Sequence, residues 1–375
     1  QTAASSDAVT LAADGTCTAK ITNNLSNRNK IINGSAIVNQ RGNETGVNSS
    51  RYCGPDRYKM ILASTGAVFT VNQSTESPDG FANSYHVDCT TADTSVDAAS
   101  YVRFLTVLEG KDVQDFSKGT SSAKKAVLSF YAKTNKTGTY SVLYFDSDNN
   151  RQFNATYTVS DSNWNRYTIP IPADTTGAFN NDTNASLEIY FHLVAGSNIT
   201  SGSLDTTWNS YTAAKEAAGH SVNFADSTGN DFYITGIQLE VDSLETGVAT
   251  DFEHRSYESE LAKCQRYYWQ QDFTGTHALI AYGTITGGTS LNIGVAFPCE
   301  MRANPTATVT AASHFRINDW SHDEDANGYS SSATWKNWAR LSFTKPTSNM
   351  TLGGNGYLNV SSSGGSSAFK FSSEL

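Results

Sequence analysis

The chain of 375 residues is patterned mainly with period two. Between Ile31 and Phe252, short runs alternate apolar and polar positions, as strands with one buried face do. The runs are Val127–Lys133, Tyr140–Phe145, Asn154–Val159, Tyr167–Ile171, Leu187–Val194 and Asp231–Val241. Clusters of Asn, Asp, Gly and Ser separate them, such as Asp146-Ser-Asp-Asn-Asn150. Regularly spaced short strands with such turns predict a jelly-roll β-sandwich over 31–252. Residues 1–30 are rich in Ser, Thr, Ala and Asn, with one strand candidate near Ala8–Leu11, and read as an extended N-terminal segment. The period changes at Ser256. From there to Trp269, the apolar residues Tyr257, Leu261, Cys264 and Tyr268 recur at helical spacing. Ser256 can cap the first turn, and Glu258 and Glu260 suit its electropositive end. Two readings of this stripe stay open: a helix lying on its own sandwich, or an oligomer seam of coiled-coil type between three subunits. Strands resume at Ala278–Thr284, Leu291–Phe297, Thr306–Thr310, Arg340–Thr344, Gly356–Val360 and Ala368–Phe371. The expected fold class is all-β: a jelly-roll β-sandwich, then a short helix and a second, C-terminal β domain within 253–375.

Composition narrows the function. Charged residues make up 17% and hydrophobic ones 38%, while aromatics reach 11%. Ser, Thr, Asn and Gly fill the gap, which suits hydrated sheets whose cores lean on aromatic rings. The formal net charge is −10 and no basic run occurs. Nucleic acid and anionic membrane are therefore excluded as expected partners, and uncharged glycans fit better. The cysteines, Cys17, Cys53, Cys89, Cys264 and Cys299, are scattered without paired spacing. They form neither a disulfide framework nor a zinc site, so free thiols and folding in a reducing cytoplasm are expected. No apolar stretch approaches membrane-spanning length. Because the first residue is Gln1 rather than Met, a further piece is expected upstream.

No catalytic constellation stands out, and no enzyme activity is expected. His322-Asp-Glu-Asp325, with Asp319, reads as an exposed acidic loop rather than a metal site. Asp146 and Asp148 begin like a calcium loop but lack its Gly and distal Glu, so they read as a hairpin turn. No cofactor or metal is expected beyond weak calcium at acidic loops. The aromatic residues carry more. In Leu187–Val194, alternation sends Leu187, Ile189, Phe191 and Leu193 inward and Glu188, Tyr190 and His192 outward. By the same reasoning Tyr131 points out opposite Leu128 and Phe130, and Tyr144 points out between Leu143 and Phe145. Tyr131, Tyr144, Tyr190 and His192 are thus expected to form a platform for sugar rings, with Glu188 as hydrogen-bond partner. The competing reading packs this face on a neighbouring subunit or loop. A rival receptor site is the C-terminal tip, where Trp320, Trp335 and Trp338 lie in Gly- and Ser-rich loops.

Several strings resemble a family of bacteriophage virion proteins, common in marine phages, that serve as tail fibres or appendages. They are Asn24-Leu-Ser-Asn-Arg-Asn-Lys-Ile-Ile-Asn-Gly34 with Gln40-Arg-Gly42, Cys89-Thr-Thr-Ala-Asp93, Leu108-Glu-Gly110, Ser117-Lys-Gly-Thr-Ser-Ser122 and Leu128–Tyr140. Ile234-Thr-Gly-Ile-Gln-Leu-Glu-Val241 running into Ala249–Tyr257, then Leu261–Tyr268 and Phe297-Pro-Cys-Glu-Met-Arg302, complete the set. The resemblance implies a virion component, assembled in the host cytoplasm and acting outside the cell. It implies a jelly roll like that of carbohydrate-binding modules and no known receptor; a parallel homotrimer held mainly by residues beyond about 250, other virion proteins on the N-terminal side and a host-surface glycan are the partners expected beside it. It implies no catalytic residues. Carbohydrate-binding jelly rolls often hold calcium through paired aspartates in the last strand; this chain has Thr235-Gly236 there. The alternatives are a cellular secreted carbohydrate-binding module or adhesin, and a depolymerising tailspike.

Overall fold

A computed structural model describes residues 27–243, 245–362 and 367–375, and within the first 26 only positions 9–11, 13, 15 and 17–19. Most of the expected N-terminal segment, including Ala8, lies outside the described residues. What is described there is a hairpin of β1 (Val9–Leu11) and β2 (Cys17–Ala19).

The all-β architecture read from the alternation is the one observed. The chain runs through β3 (Glu44–Val47), β4 (Arg51–Tyr52), β5 (Lys59–Ala63), β6 (Val68–Ser74), β7 (Ser84–Thr91) and β8 (Tyr101–Glu109). It continues through β9 (Ala126–Thr134), β10 (Gly138–Asp146), β11 (Arg151–Val159), β12 (Asn165–Ile171) and β13 (Ala185–Ala195). A single helical turn, α1 (Ser197–Thr200), and β14 (Asn209–Ser210) precede β15 (Asp231–Val241). Two sheets result, ordered β14-β11-β10-β13-β8-β5-β4 and β12-β9-β15-β7-β6-β3. Their facing sides bury an aromatic core. Phe104 stacks on Phe191 at 4.9 Å, and Phe130 meets Phe191 edge-on at 5.3 Å.

Residues 28–38 are tied into this sandwich. Asn29 is buried; its Nδ2 donates to the Ile237 carbonyl (3.1 Å) and its Oδ1 accepts from the N–H of Ile31 and of Leu239. Gly34 passes so close to β15 that a Cβ there would stand 2.1 Å from the Ile237 oxygen. The glycine of the Asn-Lys-Ile-Ile-Asn-Gly string is thus a packing requirement.

Beyond the sandwich comes α2 (Tyr257–Gln265), where Ser256 Oγ accepts from the N–H of Ser259, as a capping serine does. Its stripe faces inward, onto its own chain. Cys264 is fully buried with Ile32, Val38 and Tyr267, and Leu261 packs against that cluster. Tyr268 is buried beneath Arg41, whose guanidinium lies 3.7 Å from the ring centroid. Tyr257 alone of the four stands exposed. The expected seam of Tyr257, Leu261, Cys264 and Tyr268 is therefore corrected: burial within one chain leaves Cys264 and Tyr268 unavailable to a second copy.

The C-terminal part builds β16 (Tyr268–Phe273), β17 (Leu279–Gly287), β18 (Ser290–Ala296), β19 (Thr306–Val309), β20 (Phe315–Asn318) and β21 (Asp323–Asp325). It ends with β22 (Gly328–Thr334), β23 (Trp338–Thr344), β24 (Asn355–Val360) and β25 (Ser367–Ser372). The three-stranded sheet β16-β25-β19 and the seven-stranded sheet β21-β20-β24-β17-β18-β23-β22 enclose a second core of Leu291, Ile293, Phe315, Phe343, Leu358, Phe369 and Phe371. A clasp joins it to the sandwich. Glu374 pairs with Arg57 and, at 2.9 Å, with Arg41; the Tyr52 hydroxyl donates to the Leu375 carbonyl. Arg266 grips Glu109 through two nitrogens at 2.9 and 2.8 Å.

One buried cation marks the end of the sandwich. Lys118 Nζ donates to Asp146 (2.5 Å), Thr176 O (3.0 Å) and Gly177 O (2.8 Å), and pairs with Asp174 (3.0 Å). Asp146 thus serves an internal ion pair, and Asp148 accepts from Asn180 at a turn. Among the described residues, no group of three or more His, Cys, Asp or Glu side chains is arranged to hold a metal ion.

Candidate functional site

The expected platform of Tyr131, Tyr144, Tyr190 and His192 does not form. Tyr144 is fully buried in the core, with its ring 5.7 Å from Phe153. In β10 the inward residues are Tyr140, Val142 and Tyr144, so Leu143 and Phe145 point to the opposite face. Tyr131 lies on the other sheet, where its ring packs 5.3 Å from Phe81. His192 does face outward from β13, but residues 197–220 cover it completely. Burial holds its imidazole well below the usual histidine range, and the nearby Arg103 adds to the effect. Tyr190 is half-buried; its hydroxyl donates to Glu188 (2.5 Å), and Arg103 lies 4.5 Å from its ring centroid. Arg103 is in turn paired with Glu216. Only Glu188 and Tyr190 remain together at a partly open surface.

The covering segment is pinned by His220. Its Nε2 lies 2.8 Å from the Val222 carbonyl, and its Nδ1 accepts from the Ser141 N–H. Both contacts suit the neutral ring, and burial pulls its pKa down to about 4. A folded-state pKa below the unfolded one means stability is whole above pH ~6.5 and is lost as pH falls toward 4. His220→Gln is expected to flatten that loss. The check is the difference in unfolding midpoint between variant and parent from pH 7 to pH 4.

The surface left open belongs to the C-terminal seven-stranded sheet. Its inner face supplies the second core, so alternation turns Tyr282, Thr284, Asn292, Gly294, Trp338, Arg340, Ser342, Asn355 and Tyr357 outward. Register sets them in two rows. Asn318 pairs Tyr357, which pairs Tyr282; one step further along the register lies Gly294, which pairs Arg340. The second row runs Asn355, Thr284, Asn292, Ser342 and Ser330. One row therefore offers rings and the other amides and hydroxyls.

The rings are uncovered. Trp320 is 68% exposed and Tyr282 64%. Trp320 stands 4.9 Å from Tyr357, and Tyr357 stands 6.1 Å from Tyr282, each pair edge-to-face. Trp320 sits at a turn with φ +72°, unusual for a bulky residue. Asn318 Oδ1 accepts its N–H at 2.7 Å, and Asp319 Oδ1 accepts from Ser321 and His322. The acidic loop thus shapes a turn that presents an indole. At the other end of the face, Trp335 and Trp338 stack at 4.3 Å. Asn292 Oδ1 is buried without a hydrogen-bond partner among the described residues. Sequence reasoning placed the three tryptophans at a tip but missed Tyr282 and Tyr357. The signal was there, since Ala278–Thr284 and Gly356–Val360 were both read as strands, but which face would be solvated was not.

The chain matches no protein-family model and no curated protein. Among solved structures it is similar to the enzymatically active domain of tailspike protein 4 of bacteriophage CBA120: 11% identity and TM-score 0.28, over 57% of this chain and 21% of that one. The chain thus spans about a fifth of that tailspike. It is also similar to a CBM4 structure, with 13% identity and TM-score 0.30, over 56% of this chain and 97% of that one. A third similarity is to the family 11 carbohydrate-binding module of a Clostridium thermocellum cellulosomal cellulase, with 13% identity and TM-score 0.28, over 53% and 95%. Similarities this low carry no argument about what the chain binds.

Proposed function

We propose that this protein is a non-catalytic attachment protein that binds saccharide through the outer face of its C-terminal sheet, as an appendage of a bacteriophage virion. The observation that carries the reading is the uncovered row Trp320–Tyr357–Tyr282 beside the row Asn355–Thr284–Asn292–Ser342. Sugar rings present C–H faces that pack on aromatic rings and hydroxyls that need amide and hydroxyl partners. Large exposed rings grouped on one sheet face are uncommon without a partner. The virion setting rests on the strings resembling phage appendage proteins, together with free Cys53, Cys89, Cys264 and Cys299, which suit assembly in a reducing compartment. A homotrimer remains part of the proposal, with its contacts outside Cys264 and Tyr268.

The test combines glycan binding and adsorption to host cells. Replacing Trp320 and Tyr357 together by Ala is expected to weaken both at least tenfold, about 1.4 kcal/mol, with the unfolding midpoint unchanged. Tyr190→Ala is expected to leave both near the parental value. No shortening of the bound polysaccharide is expected over hours. Unaltered binding in the double variant, or steady chain cleavage by the parent, would count against the proposal.

A further inference from the structure

We infer that this face selects polysaccharides bearing carboxylate or sulfate groups, with Arg340 reading the anion. The inference rests on the saccharide reading above and adds the charge class. Arg340 is exposed on β23, and among the described residues it has no carboxylate partner; its one side-chain hydrogen bond runs from Nε to Ser332 Oγ at 2.9 Å. On the strands and hairpins of the seven-stranded sheet the other Lys and Arg side chains have carboxylate partners. Arg316 pairs with Asp323 and Asp325, Lys345 with Glu324 and Lys336 with Glu300. Acidic residues outnumber basic ones by 36 to 26 in this chain, yet this exposed arginine on β23, beside the edge strand β22, has no carboxylate to neutralise it among the described residues.

Its surroundings give the cation a use. Gly294, its cross-strand partner, leaves open space, since a Cβ there would have no neighbour within 4 Å. Tyr282 lies beyond Gly294, two strand spacings or about 10 Å from Arg340. Trp338, two residues before Arg340 on the same strand, flanks it on the same face. A sugar stacked on Tyr282 can lay a substituent across the glycine to the guanidinium. Guanidinium is planar and presents paired N–H donors that match the two oxygens of a carboxylate or sulfate. A neutral glycan would leave it idle. A single unpaired cation does not suffice for the phosphate chain of a nucleic acid, which calls for many.

The experiment measures binding to three immobilised probes, a polyuronate, a sulfated galactan and a neutral glucan, at low and high salt. Parent, Arg340→Gln, Gly294→Leu and Trp320→Ala are compared. The parent is expected to bind at least one anionic probe tenfold or more tighter than the glucan, and less tightly at high salt. Arg340→Gln should bring anionic binding to the neutral level and abolish its salt dependence. Gly294→Leu should weaken anionic binding by blocking the path, and Trp320→Ala should weaken every probe that binds. Equal binding of glucan and anionic probes by the parent, or unchanged anionic binding by Arg340→Gln, overturns the charge inference and leaves the saccharide reading intact. A parent that binds none of the three overturns both.

Discussion

Replacing Glu374 by Gln is expected to cost about 3–5 kcal/mol of unfolding free energy, the scale for removing one partner of a buried ion pair. Arg57 is 1% exposed, and Glu374 is its one carboxylate partner among the described residues. Its remaining contacts are the Val107 carbonyl at 2.7 Å and the face of Tyr267, 3.4 Å from the guanidinium carbon. Neither neutralises the charge. Without Glu374, a desolvated guanidinium stays buried where the C-terminal part meets the sandwich. Urea unfolding of the variant checks this. The double variant Arg57→Met with Glu374→Leu should lose less than the sum of the two single changes, because it removes the charge along with its partner. A loss below about 1 kcal/mol in Glu374→Gln, the scale of a surface pair, would mean that the clasp does not bear on stability.

Lys118→Met should have an effect of similar size, about 3–5 kcal/mol, farther across the same sheet, where Asp146 on β10 lies level with Leu187 and Leu108. It leaves the buried Asp146 carboxylate beside Asp174 with no ammonium between them. Burial pushes the Asp174 pKa up, but hydrogen bonds from Arg151 and Lys118 overcome this and hold it below the usual carboxylate range. Arg151 still grips Asp174 in the variant, so the loss falls mainly on Asp146. The emptied cage would consist of two carboxylates and the carbonyls of Thr176 and Gly177, an oxygen set that suits calcium. Millimolar calcium is therefore expected to restore part of the lost midpoint in Lys118→Met and to do little for the parent. Thermal unfolding with and without calcium decides it; equal calcium response in both proteins would refute it.

Alternation was a sound guide where only one parity was apolar. Leu187, Ile189, Phe191 and Leu193 were read inward and are buried in the core. It failed in Tyr140-Ser-Val-Leu-Tyr-Phe145, where both parities are apolar and the pattern fixes no face. Both parities are apolar there because residues 197–220 and the C-terminal tail cover much of the outer face as well. Leu105, Val107 and Leu143 are all nearly inaccessible, although they point away from the inter-sheet core. Coverage by a distant segment leaves no local signature, which is also why His192 looked like a surface residue. The helix at Tyr257–Gln265 was legible from its period and its capping serine, whereas the partner of its stripe was not. Heptad-like spacing describes one helix and says nothing about what packs on it. On the C-terminal sheet the strands were legible, but the solvated row was not. Tyr282 and Tyr357 have Gly283 and Gly356 as sequence neighbours on the inner face, and glycines blur the contrast between the two faces.

The clasp also constrains the order in which the molecule can be finished as it is made. Glu374 follows Arg57 by 317 residues. At roughly 5–20 residues per second on the ribosome, its carboxylate emerges on the order of 15–60 s after the arginine. Once β15 has emerged at Val241 the sandwich strands are all available for pairing, yet until Glu374 follows the arginine at their base has no counter-ion. The sandwich should therefore dwell in a loosened state during synthesis and tighten only when β25 and Glu374 dock. The docking of β25 and Glu374 thereby times the closing of the sandwich.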